Sequence, residues 1–292
     1  MTHRRAVLLM VVVTLMWSIA GVVTRHLEAA RSFEVTFWRS LFNAVALALL
    51  LAGLRGPVSV WRSLRGGGRM LWWSGLCWAV MYTAFMVAIT LTTVANVLVT
   101  MAIAPLLTAL VARVALGHRL ASRTWAAIVL AGIGIAWMYA REVSGSDPRH
   151  LLGTAVALAV PIAAAVNWVL IQHNRGGAGE DMLPAVLLGA LLSALVTLPL
   201  ALPFAASARD LALLGMLGVV QLAIPCLIAV TVARALSAPE VSLLALLEVV
   251  FGVAWAWLGA GESPSVHVLG GGVLVLAALA GNEAIALRER PV

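Results

Sequence analysis

The sequence predicts an all-α integral membrane protein of ten transmembrane helices, and three observations carry that prediction. Hydrophobic residues make up 63% of the 292-residue chain, and mean hydropathy is +1.04, far outside the range of soluble globular domains. The apolar residues fall into ten runs, each close to the roughly 20 residues needed to cross a bilayer core of about 30 Å. The loops between them are too short to fold alone. Lipid offers no water to satisfy backbone N–H and C=O groups, so continuous apolar runs must be helices, whereas barrel strands would show short alternating segments.

Taken in order, the first run covers 6–24 and follows His3, Arg4 and Arg5. This start is similar to a signal peptide, but the run is too long for a signal's apolar region and reads as a first span. The second, 33–54, is interrupted by one charge, Arg39. The third, 70–91, opens with Trp72 and Trp73, and the fourth, 94–115, contains Pro105. The fifth, 124–140, has Ala131, Gly132 and Gly134 at its centre, with Trp125, Trp137 and Tyr139 near its ends, where aromatic belts anchor helices in the interface. Runs at 151–172, 183–205 and 211–233 carry Pro161, Pro199, Pro203 and Pro225. Each proline frees a carbonyl that needs another partner. The ninth run, 240–260, holds Glu248, and the tenth, 266–287, holds Gly270, Gly271 and Gly272. Small residues in the fifth and tenth runs allow close helix approach in lipid, within one chain or in a homodimer.

Charge sets the orientation. All 19 basic residues are arginine, and thirteen lie on one side if the N-terminus is cytoplasmic, against five (Arg25, Arg31, Arg141, Arg149 and Arg209) on the other. The positive-inside rule therefore predicts cytoplasmic termini, in a bacterial cytoplasmic (inner) membrane. An odd number of spans per half forces the second half to be inverted. Two five-helix repeats are expected, at 1–144 and 145–292, and stretches 95–136 and 238–279 align at an offset of 143, matching Ala95 with Ala238, Ala102 with Ala245 and Ser122 with Ser265. Inverted repeats of this kind place a ligand site at their interface.

Composition also excludes function classes. Without lysine there is no P-loop and no Schiff-base residue. His3, His26, His118, His150, His173 and His267 lie in loops or near span ends without ligand spacing, so no metal and no cofactor is expected. Cys77 and Cys226 sit inside spans as small hydrophobes. The net charge of +7 follows membrane orientation, and no nucleic-acid partner is expected. An embedded enzyme would need clustered acids or histidines at depth, and a channel would need charged or carbonyl rings.

Several stretches resemble the drug/metabolite transporter superfamily, in its EamA-type ten-helix branch. These are Leu15-Met16-Trp17-Ser18, Phe37-Trp38-Arg39-Ser40-Leu41 with Ala44, and Ala102-Ile103-Ala104-Pro105-Leu106-Leu107-Thr108-Ala109. Further along, Leu247-Glu248-Val249-Val250-Phe251-Gly252 is followed by a Gly261-Glu262 turn. The chain departs from the family pattern at Val249, where proline is frequent, and at Arg119, where glutamate is usual. Length and aromatic content are compatible with YddG-type aromatic amino-acid exporters. The resemblance implies a central cavity, alternating access and export of a small-molecule substrate, an amino acid or similar metabolite. A broad-specificity drug exporter is the alternative.

Charges in the bilayer interior cost at least about 2.5–3.5 kcal/mol, so Arg39 and Glu248 are candidates by default. Arg39 could hold a substrate carboxylate through its planar fork, or pair with a structural carboxylate. Glu248 could exchange protons or hydrogen-bond between helices. Trp78, Tyr82 and Phe85 form an aromatic stripe at helical spacing, which suits an apolar ligand and equally suits helix packing. Trp17, Asn167 and Trp168 occupy corresponding helices of the two halves, and Gln221 supplies an amide at mid-membrane. Asn96 and Thr100 share a face of the fourth run, where interhelical bonding is the plain alternative.

Overall fold

The computed structural model describes residues 1–24, 26–30, 32–92, 94–117, 120–139, 148–174, 181–260 and 266–288. Among them there are helices and no strands. In chain order these are α1 (His3–Trp17), α2 (Ala20–Thr24), α3 (Ser32–Arg55), α4 (Pro57–Gly66), α5 (Arg69–Leu91), α6 (Val94–Met101), α7 (Ala104–Leu116) and α8 (Ser122–Tyr139). Then come α9 (Pro148–His173), α10 (Leu183–Ala201), α11 (Ala208–Met216), a π-helical turn (Leu217–Ala223), α12 (Ile224–Val232), α13 (Ala238–Ala245), α14 (Leu247–Ala260) and α15 (Val266–Arg288).

Among the described residues, six stretches are long and apolar enough to span a membrane: His3–Thr24, Phe33–Arg55, Arg69–Leu91, Leu151–His173, Leu183–Ala201 and Ala208–Val232. The other apolar helices are shorter, including Ala104–Leu116, Ser122–Trp137 and Leu269–Asn282. The expected fourth and ninth runs are each broken. The fourth divides at Ala102 and Ile103, just ahead of Pro105, which occupies the first turn of α7 where a missing N–H does no harm. The ninth divides at Leu246, a break that no proline explains. Before Pro225 the helix widens into the π turn, since the proline cannot donate to Gln221 four residues earlier. Pro161 and Pro199, by contrast, lie within unbroken helices.

The seventh run stops at Ala201 rather than 205, and α4 is a short amphipathic connector that the hydropathy pattern hides. Gly117 ends α7 with a left-handed φ of 66°. Of the turns singled out above, Arg119 and 261–265 lie outside the described residues, as do Arg25, Arg31 and Arg141.

Helix pairing follows small residues. α5 packs along α9 and α10, α3 along α10 and the π turn, α1 along α12, and α8 along α15. A Cβ on Gly134 would lie 2.8 Å from the Gly271 carbonyl oxygen, so the stripe in α8 and α15 brings these two helices together within one chain. Large apolar side chains such as Leu49, Leu54, Val114 and Leu195 face outward, as lipid-exposed surface does, and Trp72, Trp73 and Trp137 are exposed too.

Two carboxylates close one end of the bundle. Asp210 accepts from the backbone N–H groups of Glu28 (2.8 Å), Ala29 (3.0 Å), Ala30 (3.1 Å) and Ser207 (3.2 Å), fixing the α2–α3 loop onto α11. Glu34 accepts from Ala205 (2.9 Å) and Ala206 (2.8 Å), fixing the α10–α11 loop onto α3. At the opposite end, Asp181 pairs with Arg55 and with Arg234. Asp210→Ala is expected to lower stability by about 2–4 kcal/mol, because backbone donors bonded to a charged acceptor lose it together. Thermal unfolding in detergent should show a clear drop in Tm, with a smaller drop for Asp210→Asn. An unchanged Tm for the alanine variant would count against this closure.

Candidate functional site

Where the two broken helices meet the long ones, a cavity of about 130 Å³ opens in the bundle interior. Both breaks border it: Met101 and Ala104 flank the first, and Ala245, Leu246 and Glu248 surround the second. Trp17 comes from α1, Arg39 from α3, Trp78, Met81, Tyr82 and Phe85 from α5, Trp168 from α9, Gln221 from the π turn and Cys226 from α12. The volume suits a small organic molecule with an apolar body rather than a single water.

Arg39 lies two turns into α3 and is 1% exposed. Its Nη2 donates to the backbone carbonyl of Tyr82 at 3.1 Å, and Nε finds no protein partner among the described residues. No described carboxylate lies within ion-pair distance of it. The π turn presses on its backbone, since a Cβ on Gly218 would stand 2.9 Å from the Arg39 carbonyl oxygen and 2.6 Å from Phe42 Cβ. The guanidinium is thus held in place and lacks a counter-charge in contact.

The aromatic wall is ordered by ring contacts. Trp78 meets Trp168 edge-on at 5.7 Å and 88°, and lies 5.6 Å from Tyr82 at 31°. α5 and α10 approach closely here: a Cβ on Gly189 would fall 2.3 Å from Trp78 Cβ. Gln221 Nε2 donates to the Trp17 carbonyl at 3.2 Å, fixing the amide against α1, while its Oε1 has no protein partner among the described residues. The same holds for Trp78 Nε1 and Ser242 Oγ. Buried polar atoms are nearly always paired, so several orphans around one cavity mark a place where a ligand can complete them.

Of the residues singled out from sequence, Trp17, Arg39, Trp78, Tyr82, Phe85, Trp168, Gln221 and Glu248 line this cavity. Asn167 does not. It is fully buried and its Oδ1 accepts from Ser74 Oγ at 2.6 Å, tying α9 to α5. Thr100 is buried, and the side chain of Asn96 lies outside the described residues. Sequence reasoning passed over Met81, Leu98, Met101 and Ser242. Met81 shares the α5 face of Trp78 and Phe85 by helical spacing, and that signal was available. Leu98 on α6 and Ser242 on α13 each lie about one turn ahead of a break, which apolar patterning does not reveal.

The lining predicts a size-dependent effect. Trp78→Ala or Tyr82→Ala should weaken binding of bulky ligands relative to small ones by roughly two- to tenfold, as lost ring contacts scale with ligand area. Competition binding checks this. Equal loss for large and small ligands, with a lowered Tm, would show that these rings only pack helices.

Comparison with known proteins fits this architecture. Residues 4–140 match the model of the EamA-like transporter family. No curated protein matches. Among solved structures 29 chains match, and one, described as "Crystal structure of protein", superposes with a TM-score of 0.81 at 19% identity over 99% of each chain. That likeness establishes the fold. The protein is therefore a multi-pass helical membrane protein whose residues 4–140 are similar to the EamA-like transporter family.

Proposed function

We propose that this protein is a secondary transporter that exports hydrophobic or aromatic amino acids by alternating access through the central cavity. The observation that carries the reading is Arg39: a buried guanidinium on an aromatic-walled cavity with no carboxylate in contact among the described residues. An isolated charge in low dielectric is costly to keep, and a substrate carboxylate would compensate it by a bidentate, charge-assisted pair. The aromatic rings would take the side chain.

Alternating access needs two equivalent halves, and the helix pairing supports ten spans in two inverted repeats, 1–144 and 145–292. Exchanging the halves maps α5 on α9 to α12 on α1, and α5 on α10 to the π turn on α3, while α8 on α15 and α3 on α10 map to themselves. The helix breaks obey the same relation, since Ala102 and Ala245 are 143 residues apart. Broken helices beside a midplane cavity are the usual device of inverted-repeat carriers. The arginine distribution supports cytoplasmic termini in a bacterial inner membrane. Export then runs down the substrate's own gradient, without obligatory proton coupling.

A broader drug exporter is the second reading, favoured by Met81 and Met101, whose flexible side chains adapt to varied ligands. Uptake of radiolabelled phenylalanine into proteoliposomes, competed by amino acids, organic cations and nucleotide sugars, separates the two. Competition by apolar amino acids alone is expected. Equal competition by organic cations would favour the drug exporter.

A further inference from the structure

Glu248 is the second ionisable side chain on the cavity. It stands in the first turn of α14, directly after the break at Leu246, and no described residue gives it a hydrogen bond or an ion pair. It lines the same cavity as Arg39, and no ion pair joins the two. Opposite charges in a low-dielectric space attract strongly, so their separation has to be imposed by what holds each one. Arg39 is held by the Tyr82 carbonyl and by the π turn against its backbone. Glu248 is held at the start of α14, where the free N–H groups of the helix end favour a carboxylate. The Tyr82 and Trp17 side chains line the same space.

We propose that Arg39 and Glu248 form a zwitterion clamp, Arg39 taking the α-carboxylate of an amino acid and Glu248 its α-ammonium, with the side chain on the Trp78–Trp168 wall. This assignment rests on the amino-acid reading above and extends it, because it places Glu248 on the substrate rather than in ion coupling. The filled cavity is then electrically neutral. A ligand with only one of the two charges leaves the other protein charge buried and uncompensated, which is strongly unfavourable. The clamp therefore selects for both charged groups at once, and selects weakly among apolar side chains.

Equilibrium binding to the purified full chain in nanodiscs tests this with three probes: phenylalanine, 3-phenylpropionate, which lacks the ammonium, and phenethylamine, which lacks the carboxylate. The wild type should bind phenylalanine at least about tenfold tighter than either analogue. Glu248→Gln should erase the preference for phenylalanine over 3-phenylpropionate while keeping the preference over phenethylamine, which Arg39 sets. Glu248→Asp should retain part of the first preference. The clamp is overturned if wild type binds 3-phenylpropionate as tightly as phenylalanine, or if Glu248→Gln weakens all three probes by one factor. In either case phenylalanine still binds and the amino-acid reading stands. Failure of wild type to bind phenylalanine at all overturns both. If Glu248→Gln does not fold, the three probes on wild type alone decide the matter.

Discussion

Arg39→Gln is expected to weaken binding of phenylalanine by roughly 10- to 100-fold while leaving its methyl ester nearly unaffected. A hydrogen bond to a charged partner contributes about 1.5–3 kcal/mol, which is that range of affinity. The ester carries no negative charge, so the guanidinium has little to offer it. Glutamine keeps much of the side-chain reach and removes the charge. Stability gives an independent readout. Arg39 is 1% exposed and contacts no described carboxylate, so removing its charge relieves a desolvation cost, and Tm should hold or rise. A structural ion pair would behave oppositely: losing one member strands the other and lowers Tm. Arg39→Lys should restore affinity only in part, since an ammonium cannot reproduce the planar fork. Equal discrimination between acid and ester in wild type and Arg39→Gln would remove Arg39 from the site.

Gly189→Ala should damage a site that residue 189 does not line. Its added Cβ would stand 2.3 Å from Trp78 Cβ, 3.0 Å from the Ala79 nitrogen and 3.0 Å from the Gly75 oxygen. None of these is the far end of a flexible side chain. α10 must therefore retreat from α5 by about 1 Å to reach ordinary contact distances. Overpacking of this kind costs about 1–3 kcal/mol, and here it shifts the helix that carries Trp78 and Tyr82. Both Tm and phenylalanine affinity should fall. Gly132→Ala is the control, because nothing lies within 4 Å of a Cβ there. If the two variants unfold and bind alike, the close approach of α5 and α10 does not position the aromatic wall.

Much of this fold is written in hydropathy. The second, third and sixth runs, expected at 33–54, 70–91 and 151–172, correspond to spans Phe33–Arg55, Arg69–Leu91 and Leu151–His173, because lipid forces a continuous apolar run into one continuous helix. Hydropathy is blind to what happens inside a run. The divide at 102–103 is signalled by Pro105 and the π turn by Pro225, but the break at Leu246 has no local signature. Glu34 and Asp210 were not singled out either, since most of their partners are backbone N–H groups more than 170 residues away in sequence. For the cavity, residue type was the guide: a charge, an amide or an indole at mid-membrane stands out against aliphatic neighbours. Type alone cannot give direction. Trp168 faces the cavity while adjacent Asn167 turns to Ser74, a difference of one helical position.

The claim that the cavity is the binding site of an alternating-access carrier is tested most directly by counterflow in proteoliposomes. External labelled phenylalanine is offered to vesicles preloaded with unlabelled phenylalanine or with buffer alone. A carrier whose loaded site reorients faster than its empty one should show saturable uptake that preloading accelerates, leading to transient internal accumulation of label, and Arg39→Gln should abolish it. Uptake that rises linearly with concentration and ignores preloading would contradict the account and indicate a pore.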